Sequence, residues 1–253
     1  MDNSGVERLY RAGAISALAV GLSYIAIIAL YIPIGAPPIG VEPRLAYLAA
    51  HTGAWWAILG LSVVTDFLFI PVALSLYSAL KRFSGTVMLM ATACVALFVF
   101  LDLAITWTNY AALISLSGKY ATAANDAQRA AVLAAANYAT AVLESRLLFV
   151  YNTLTLAVGI LLTGFAMLQQ KGAGKSIFRK GTAYLGLLTG VLGIVSVFGP
   201  VFVTALNATI IATSILTTVW LFFVAYELYK FPCNRALLSS DISTSSLNRA
   251  SNG

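Results

Sequence analysis

Two carboxylates lie deep in consecutive apolar stretches of the chain. Asp66 stands within residues 61–71 and Asp102 within residues 99–107, and the turn-like segment 81–85 separates the two stretches. A carboxylate left charged among hydrocarbon costs at least a few kcal/mol, so each should face the bundle interior, find a partner or keep a proton. Acids in this setting point to proton or cation handling.

The two acids are expected at one depth of an antiparallel helix pair. Asp66 precedes Lys81 by 15 residues and Asp102 follows Thr86 by 16 residues. At a helical rise of 1.5 Å per residue, these spacings are about 22 and 24 Å from the same end of the pair. That depth is near the middle of a hydrocarbon core about 30 Å thick.

Polar or backbone-breaking residues accompany both acids. Pro71 cannot donate a backbone hydrogen bond, so it predicts a hinge one turn after Asp66. Asp102, Thr106 and Asn109 recur at i, i+4 and i+7 and predict one polar stripe, which Asn152 on a later helix is able to reach. The alternative is that each acid is protonated, hydrogen-bonded, and serves only to fix helix packing.

Composition assigns the chain to the membrane proteins. Its 253 residues are 60% hydrophobic and only 9% charged, whereas soluble domains are about a quarter charged. We predict an all-α, polytopic protein with one six-helix membrane domain at 1–230 and a disordered tail at 231–253. The six predicted spans run approximately over residues 12–34, 53–80, 86–116, 144–168, 182–203 and 207–229.

The connections carry the remaining polar features. Segment 117–141 is the one long connection, and its Ala-rich part fits either a surface helix or an extension of the fourth span. Asn125 is able to cap a helix there. Glu42 and Arg44 are expected to balance each other in a loop, and Glu144 with Arg146 marks the start of the fourth span as an outer gate or a snorkelling pair.

Aromatic and small residues predict where the helices meet lipid and each other. Trp55 and Trp107 are expected in belts at the membrane–water boundary. Two stripes of small residues predict close helix–helix packing. They are Gly13, Ala17 and Gly21 in the first span, and Gly186 and Gly190 in the fifth.

The distribution of cations predicts orientation. With six spans, eleven of the fifteen Lys and Arg residues fall on the side of both termini, and four fall on the other. Cytoplasmic loops carry the excess of Lys and Arg, so both termini are expected in the cytoplasm of a cell membrane. The larger group is Arg8, Arg11, Lys81, Arg82, Lys171, Lys175, Arg179, Lys180, Lys230, Arg235 and Arg249, and the smaller is Arg44, Lys119, Arg129 and Arg146.

Other chemistries lack the residues that they need. The chain has one histidine and two cysteines, too few for a usual haem, zinc or copper site, so no metal and no cofactor are expected. It has neither a phosphate-cradling glycine loop nor a serine-nucleophile motif. An enzyme and nucleic-acid binding are therefore both disfavoured.

Three segments resemble an uncharacterised prokaryotic family of six-helix membrane proteins that is catalogued as a domain of unknown function. They are Glu-Arg-Leu-Tyr-Arg-Ala-Gly at 7–13, Leu-Ser-Leu-Tyr-Ser-Ala-Leu-Lys at 74–81, and Phe-Arg-Lys-Gly-Thr-Ala-Tyr-Leu-Gly at 178–186. The resemblance implies six helices and carries no activity.

Two functions follow as hypotheses. The first is a small-solute, ion or proton carrier or channel that uses Asp66 and Asp102, with Thr106, Asn109 and Asn152 as polar neighbours. The second is a structural or accessory subunit, without transport or catalysis, that packs against partner helices through the small-residue stripes. The lipid bilayer is the expected surrounding, and a homo-oligomer or a partner membrane subunit fits either hypothesis.

Overall fold

The computed structural model describes residues 3–170, 177–203, 206 and 209–250, without the side chains of 3–4, 146, 149 and 232–250. Within these ranges the backbone is helical apart from short connections and contains no strand, which confirms the predicted all-α class. The helices are α1 (Asn3–Ile34), α2 (Val41–Ala50), α3 (Thr52–Leu101), a π-helical segment (Asp102–Trp107), α4 (Thr108–Ala121), α5 (Asp126–Glu144), α6 (Arg146–Leu168), α7 (Lys180–Phe202) and α8 (Thr209–Ala250).

Five stretches of the described chain are long and apolar enough to cross a membrane. A span needs about 20 apolar residues, and these stretches have between 19 and 70. Large apolar side chains cover their outer faces; Phe100, for example, is 67% exposed. Such surfaces indicate a membrane-embedded protein. The stretches are Gly5–Ile34, Thr52–Ala121, Val150–Leu168, Lys180–Phe202 and Thr209–Phe231.

The longest stretch, Thr52–Ala121, is folded back on itself. Ser84 has non-helical torsions (φ −154°, ψ 70°) inside the predicted turn 81–85. The ring centroids of Phe69 and Phe98 lie 5.7 Å apart, although a straight helix would separate the two residues by about 43 Å. Arms 52–83 and 85–121 therefore pack side by side, as predicted. The backbone stays helical through Pro71, and a hinge at this residue remains a prediction.

Small residues let the helices approach closely, as both predicted stripes require. A Cβ at Gly13 would meet the Ser75 side chain of α3, and one at Gly21 would meet the Phe222 ring of α8. Ala17, between them, is fully buried. The neighbours are all helices of this same chain, so the first stripe holds α1 against α3 and α8.

The second stripe holds α7 in the same way. A Cβ at Gly186 would lie 2.8 Å from Nε1 of Trp220 on α8, and one at Gly190 would lie 2.7 Å from the Leu161 Cα on α6. The stripe is therefore occupied by α6 and α8.

Helices α2 and α5 pack around α4, which is the last part of arm 85–121. We call these three helices the cap, since they lie at one end of the apolar helices. Residues 41–50 form a helix rather than a loop, and its Leu45 and Leu48 are fully buried in the apolar core of the cap. Trp55 joins this core and is 2% exposed, so its ring packs inside the cap rather than against lipid. Its predicted depth at the membrane–water boundary stays a prediction.

Helix α5 resolves the ambiguity of segment 117–141. The Asn125 side chain accepts a hydrogen bond from the backbone N–H of Gln128 (2.9 Å), so Asn125 caps the helix as predicted. Ser145 is extended (φ −65°, ψ 122°) and its hydroxyl accepts from the N–H of Leu147 (3.3 Å), which starts α6. The segment is therefore a separate helix that belongs to the cap.

The N-terminal part of α1 and the part of α8 around Phe231 lie together at the end of the bundle opposite the cap. The rings of Tyr10 in α1 and Phe231 in α8 are in edge contact, with centroids 5.0 Å apart. The backbone of α8 is helical as far as Ala250, where the sequence predicts a disordered tail. The predicted division into a domain at 1–230 and a tail stays a prediction.

Alanine at Gly190 should destabilise the protein, whereas alanine at Gly60 should not. The Gly190 Cβ would meet Leu161 backbone atoms, while a Cβ at Gly60 meets nothing within 4 Å. Overpacking of this kind costs about 1–3 kcal/mol. We expect Gly190→Ala to lower the midpoint of thermal unfolding in detergent, measured by circular dichroism. Equal midpoints for Gly190→Ala and Gly60→Ala would contradict the packing role.

Candidate functional site

The two aspartates lie on facing arms of the α3 hairpin. Asp66 is on arm 52–83, and Asp102 begins the π-helical segment. They are 2% and 8% exposed, respectively, and Trp107, on the same π-helical segment as Asp102, donates a hydrogen bond to Asp66. The structure thus brings the two predicted site residues into one buried region.

Each carboxylate accepts a hydrogen bond from a neutral side chain on another segment. The indole Nε1–H of Trp107 donates to Asp66 Oδ2 (2.8 Å). The amide Nδ2 of Asn152, on α6, donates to Asp102 Oδ1 (2.7 Å) and to the hydroxyl oxygen of Thr106 (2.7 Å). Asp66, Asp102, Thr106, Trp107 and Asn152 form what we call the aspartate cluster.

The π-helical segment determines which residues join the cluster. Its hydrogen bonds run from i to i+5, so a residue five positions after Asp102 lies one turn along on the same side. In an α-helix the same residue would lie about 140° away. Trp107 therefore reaches Asp66, and its predicted position in a boundary belt stays a prediction.

The widened turn also removes Asn109 from the predicted stripe. The i, i+4, i+7 spacing holds only for an unbroken α-helix. The Asn109 amide donates instead to the backbone carbonyl of Ile105 on its own helix (2.7 Å). The described contacts therefore place Thr106 and Asn152 beside Asp102, and they place Asn109 elsewhere.

No cation pairs with the cluster among the described side chains. The ion pair that they form is Arg44–Glu144, in the cap. The described residues also contain no group of three or more His, Cys, Asp and Glu side chains that could hold a metal ion.

Glu144, one of the two residues of the predicted outer gate, forms an ion pair with a residue of α2. Glu144 Oε1 lies 2.9 Å from Nη2 of Arg44 on α2, and the Arg146 side chain is outside the described ones. Glu42 accepts from the Tyr120 hydroxyl (2.5 Å) rather than balancing Arg44. The expected Glu42–Arg44 pair is wrong because α2 is a helix, and its side chains face α4 and α5.

Sequence analysis missed a third buried acid. Glu227, on α8, is 5% exposed. It accepts from the Thr182 hydroxyl (2.8 Å) and from the backbone N–H of Arg179 (3.2 Å). These groups stand at the start of α7, where a carboxylate is favoured by the helix dipole. Its position next to Tyr226 and Lys230 resembles an ordinary boundary residue, so only its burial reveals it.

A small apolar cavity lies near the cluster without reaching it. Its walls include Phe69, Met88, Leu156 and Trp220, and neither aspartate contributes to them. The volume is about 20 Å³, which is room for about one water molecule.

Fold and cluster together define a helical, membrane-embedded protein with two carboxylates buried among neutral donors. In comparisons with known proteins, the chain matches no family model, no curated protein and no solved structure. The resemblance to the six-helix family of unknown function therefore stays a prediction.

Removing both partners of the Asn152–Asp102 hydrogen bond should cost less than the two single changes together. Asn152→Leu alone leaves a buried carboxylate without its donor, whereas Asp102→Leu with Asn152→Leu removes both polar groups. Measured couplings inside membrane bundles average about 0.6 and reach about 1.7 kcal/mol. A double-mutant cycle in unfolding free energy should give a coupling in this range.

Asn109→Leu is the matched control for this cycle. Its amide bonds only to its own helix, so we expect a coupling with Asp102→Leu near zero. If Asn109 couples to Asp102 as strongly as Asn152 does, the arrangement of the aspartate cluster is wrong.

Proposed function

We propose that this protein is a small-solute, ion or proton carrier or channel whose ionisable site is the Asp66–Asp102 pair. One observation carries the proposal: two carboxylates are buried together in apolar helices, and no described cation lies beside them. An unpaired buried charge is too costly to persist, so the pair must hold a proton or bind a cation. Intramembrane acids of this kind commonly mark ion pathways.

The hydrogen-bond donors of Trp107 and Asn152 leave one oxygen of each carboxylate for a proton or a cation. The hydrogen bonds from Trp107 and Asn152 engage Asp66 Oδ2 and Asp102 Oδ1, one oxygen of each carboxylate. The second oxygen of each is then able to take a proton or a cation ligand. Thr106 adds a hydroxyl oxygen at the same place, since Asn152 bridges it to Asp102.

Backbone irregularities beside both acids support a moving site. Asp102 begins a π-helical segment, a feature found frequently at functional sites. Pro71 follows Asp66 by five residues, and its missing N–H weakens the helix there. A carrier needs helices that change shape near the guest, and both arms of the hairpin have a weak point close to the carboxylate.

The proposed membrane arrangement has six spans with both termini in the cytoplasm of the cell membrane. Dividing Thr52–Ala121 at Ser84 turns the five apolar stretches into six segments. The contact between Tyr10 and Phe231 is consistent with an even number of spans. The excess of Lys and Arg at that end supports the cytoplasmic assignment.

The accessory-subunit alternative would need a different surface. The Gly13–Gly21 and Gly186–Gly190 stripes, on which it depends, are packed against α3, α6 and α8 of the same chain. No other described feature favours it.

Asp66→Asn and Asp102→Asn should each abolish pH-driven flux. The purified protein is placed in liposomes that contain a pH-sensitive dye, and a pH gradient across the membrane drives the flux, with valinomycin and equal potassium on both sides to hold the membrane potential at zero. Each substitution removes an ionisable proton site while it keeps the size and hydrogen-bonding capacity of the side chain. We expect wild-type flux to fall to the level of empty liposomes.

Asp126→Asn provides the control, because the same change falls on an exposed residue of α5. It should leave flux unchanged. The α-helical circular dichroism and the gel-filtration profile of all three variants should match the wild type. Flux that is unchanged in both cluster variants would sink the proposal.

A green fluorescent protein fused after Gly253 should fluoresce in a bacterial host. Green fluorescent protein becomes fluorescent in the cytoplasm but not after export through the general secretory route, so fluorescence reports the side of the membrane on which the C-terminus lies. A matched alkaline phosphatase fusion should be inactive. The reverse pair of signals would refute the cytoplasmic assignment.

A further inference from the structure

We propose that Arg44 binds the carboxylate of a small organic acid, and that this anion exchanges with Glu144 at the entrance to the aspartate cluster. The inference rests on the proposed function and names its substrate class, a small monocarboxylate. It is carried by the geometry of the cap.

Arg44 is the one buried cation among the described side chains. It is 9% exposed, and buried arginines are held by anions because the guanidinium cannot lose its proton. Its ion-pair partner, Glu144, has a side chain that is 39% exposed, compared with 10% for the Arg44 side chain. The pair is therefore reached from the Glu144 side.

The ion pair uses only half of the available edge of Arg44. Glu144 Oε1 contacts Nη2 at 2.9 Å, while Nε is buried and has no hydrogen-bond partner among the described residues. Nε and Nη2 form one edge of the planar guanidinium, and that edge matches the two oxygens of a carboxylate. Glu144 Oε1 also accepts a hydrogen bond from the backbone N–H of Gly40 (3.4 Å), at the N-terminus of α2.

Aromatic rings pack in the core of the same cap. Trp55 is stacked on Tyr110 with centroids 5.2 Å apart and is in edge contact with Tyr31 at 5.6 Å. The Trp55 Nε1–H is also buried without a partner among the described residues. Two unmatched donors in one cap with an aromatic core suit an acceptor-rich ligand with an apolar body.

A continuous row of aromatic side chains joins the cap to the aspartate cluster. Tyr110 contacts Trp107, with centroids 5.8 Å apart, and Trp107 donates to Asp66. The aromatic row Trp55–Tyr110–Trp107 thus connects the cap, which contains Arg44, to Asp66. A carboxylate held by Arg44 and a proton held by an aspartate are the two species that a proton-coupled monocarboxylate carrier moves together.

Binding of benzoate to the purified protein in detergent tests this inference. Isothermal titration calorimetry should detect saturable binding of benzoate but not of benzyl alcohol, which has the ring without the charge. Arg44→Gln should weaken binding at least tenfold. Glu144→Gln should tighten it about fivefold, because the competing carboxylate is gone and a half-exposed ion pair is worth about that factor.

Two further variants keep the test decisive. Arg44→Gln with Glu144→Gln removes both charges, so loss of binding there cannot be caused by a stranded Glu144. Arg129→Gln changes an exposed arginine on α5 and should leave binding unaltered. Absence of benzoate binding in both the wild type and Glu144→Gln overturns the inference, as does equal binding of sulfate.

The outcome is separable from that of the flux experiment. Benzoate binding together with unchanged flux in both aspartate variants would refute the proposed function and leave the Arg44 site intact. Proton flux without benzoate binding would do the reverse.

Discussion

The burial of two carboxylates inside an apolar bundle is the constraint on which the rest of the structure depends. Each acid costs several kcal/mol unless it is neutralised or hydrogen-bonded. The chain meets part of this requirement with neutral donors, Trp107 for Asp66 and Asn152 for Asp102. Because the donors stand on different segments from their acceptors, these bonds fix how the hairpin arms and α6 lie against each other.

Close packing makes such bonds attainable. An amide or indole reaches a carboxylate only if the helix axes are near, and glycines such as Gly190 allow that approach elsewhere in the bundle. The π-helical segment makes the local adjustment, since its extra residue per turn rotates Trp107 toward Asp66. An irregular backbone is thus part of how the acids are accommodated.

The cap accommodates a buried positive charge. Its core is apolar and aromatic, yet it contains the buried guanidinium of Arg44. Glu144 balances the charge through one nitrogen only. The fold consequently places a guanidinium that uses one nitrogen for its ion pair in the cap, and two carboxylates without a described cation beside them in the bundle.

The sequence by itself determined the helical class, the apolar stretches, the turn near Ser84 and the burial of Asp66 and Asp102. All of these follow from local patterns: hydrophobic length, a turn signal, and charges inside apolar runs. Close packing at Gly13, Gly21, Gly186 and Gly190 was also readable, because small residues at four-residue spacing mark one helix face. The pattern did not reveal that the partner helices belong to this chain.

Only the tertiary structure decided the partners. Trp107 joined the cluster and Asn109 left it because a π-helical turn changes the angular position of every later residue, and no spacing rule announces such a turn. Arg44 met Glu144, 100 positions away, rather than Glu42, and Glu227 was buried by the start of α7. Long-range pairing depends on how whole helices pack, so it is absent from any local window of sequence.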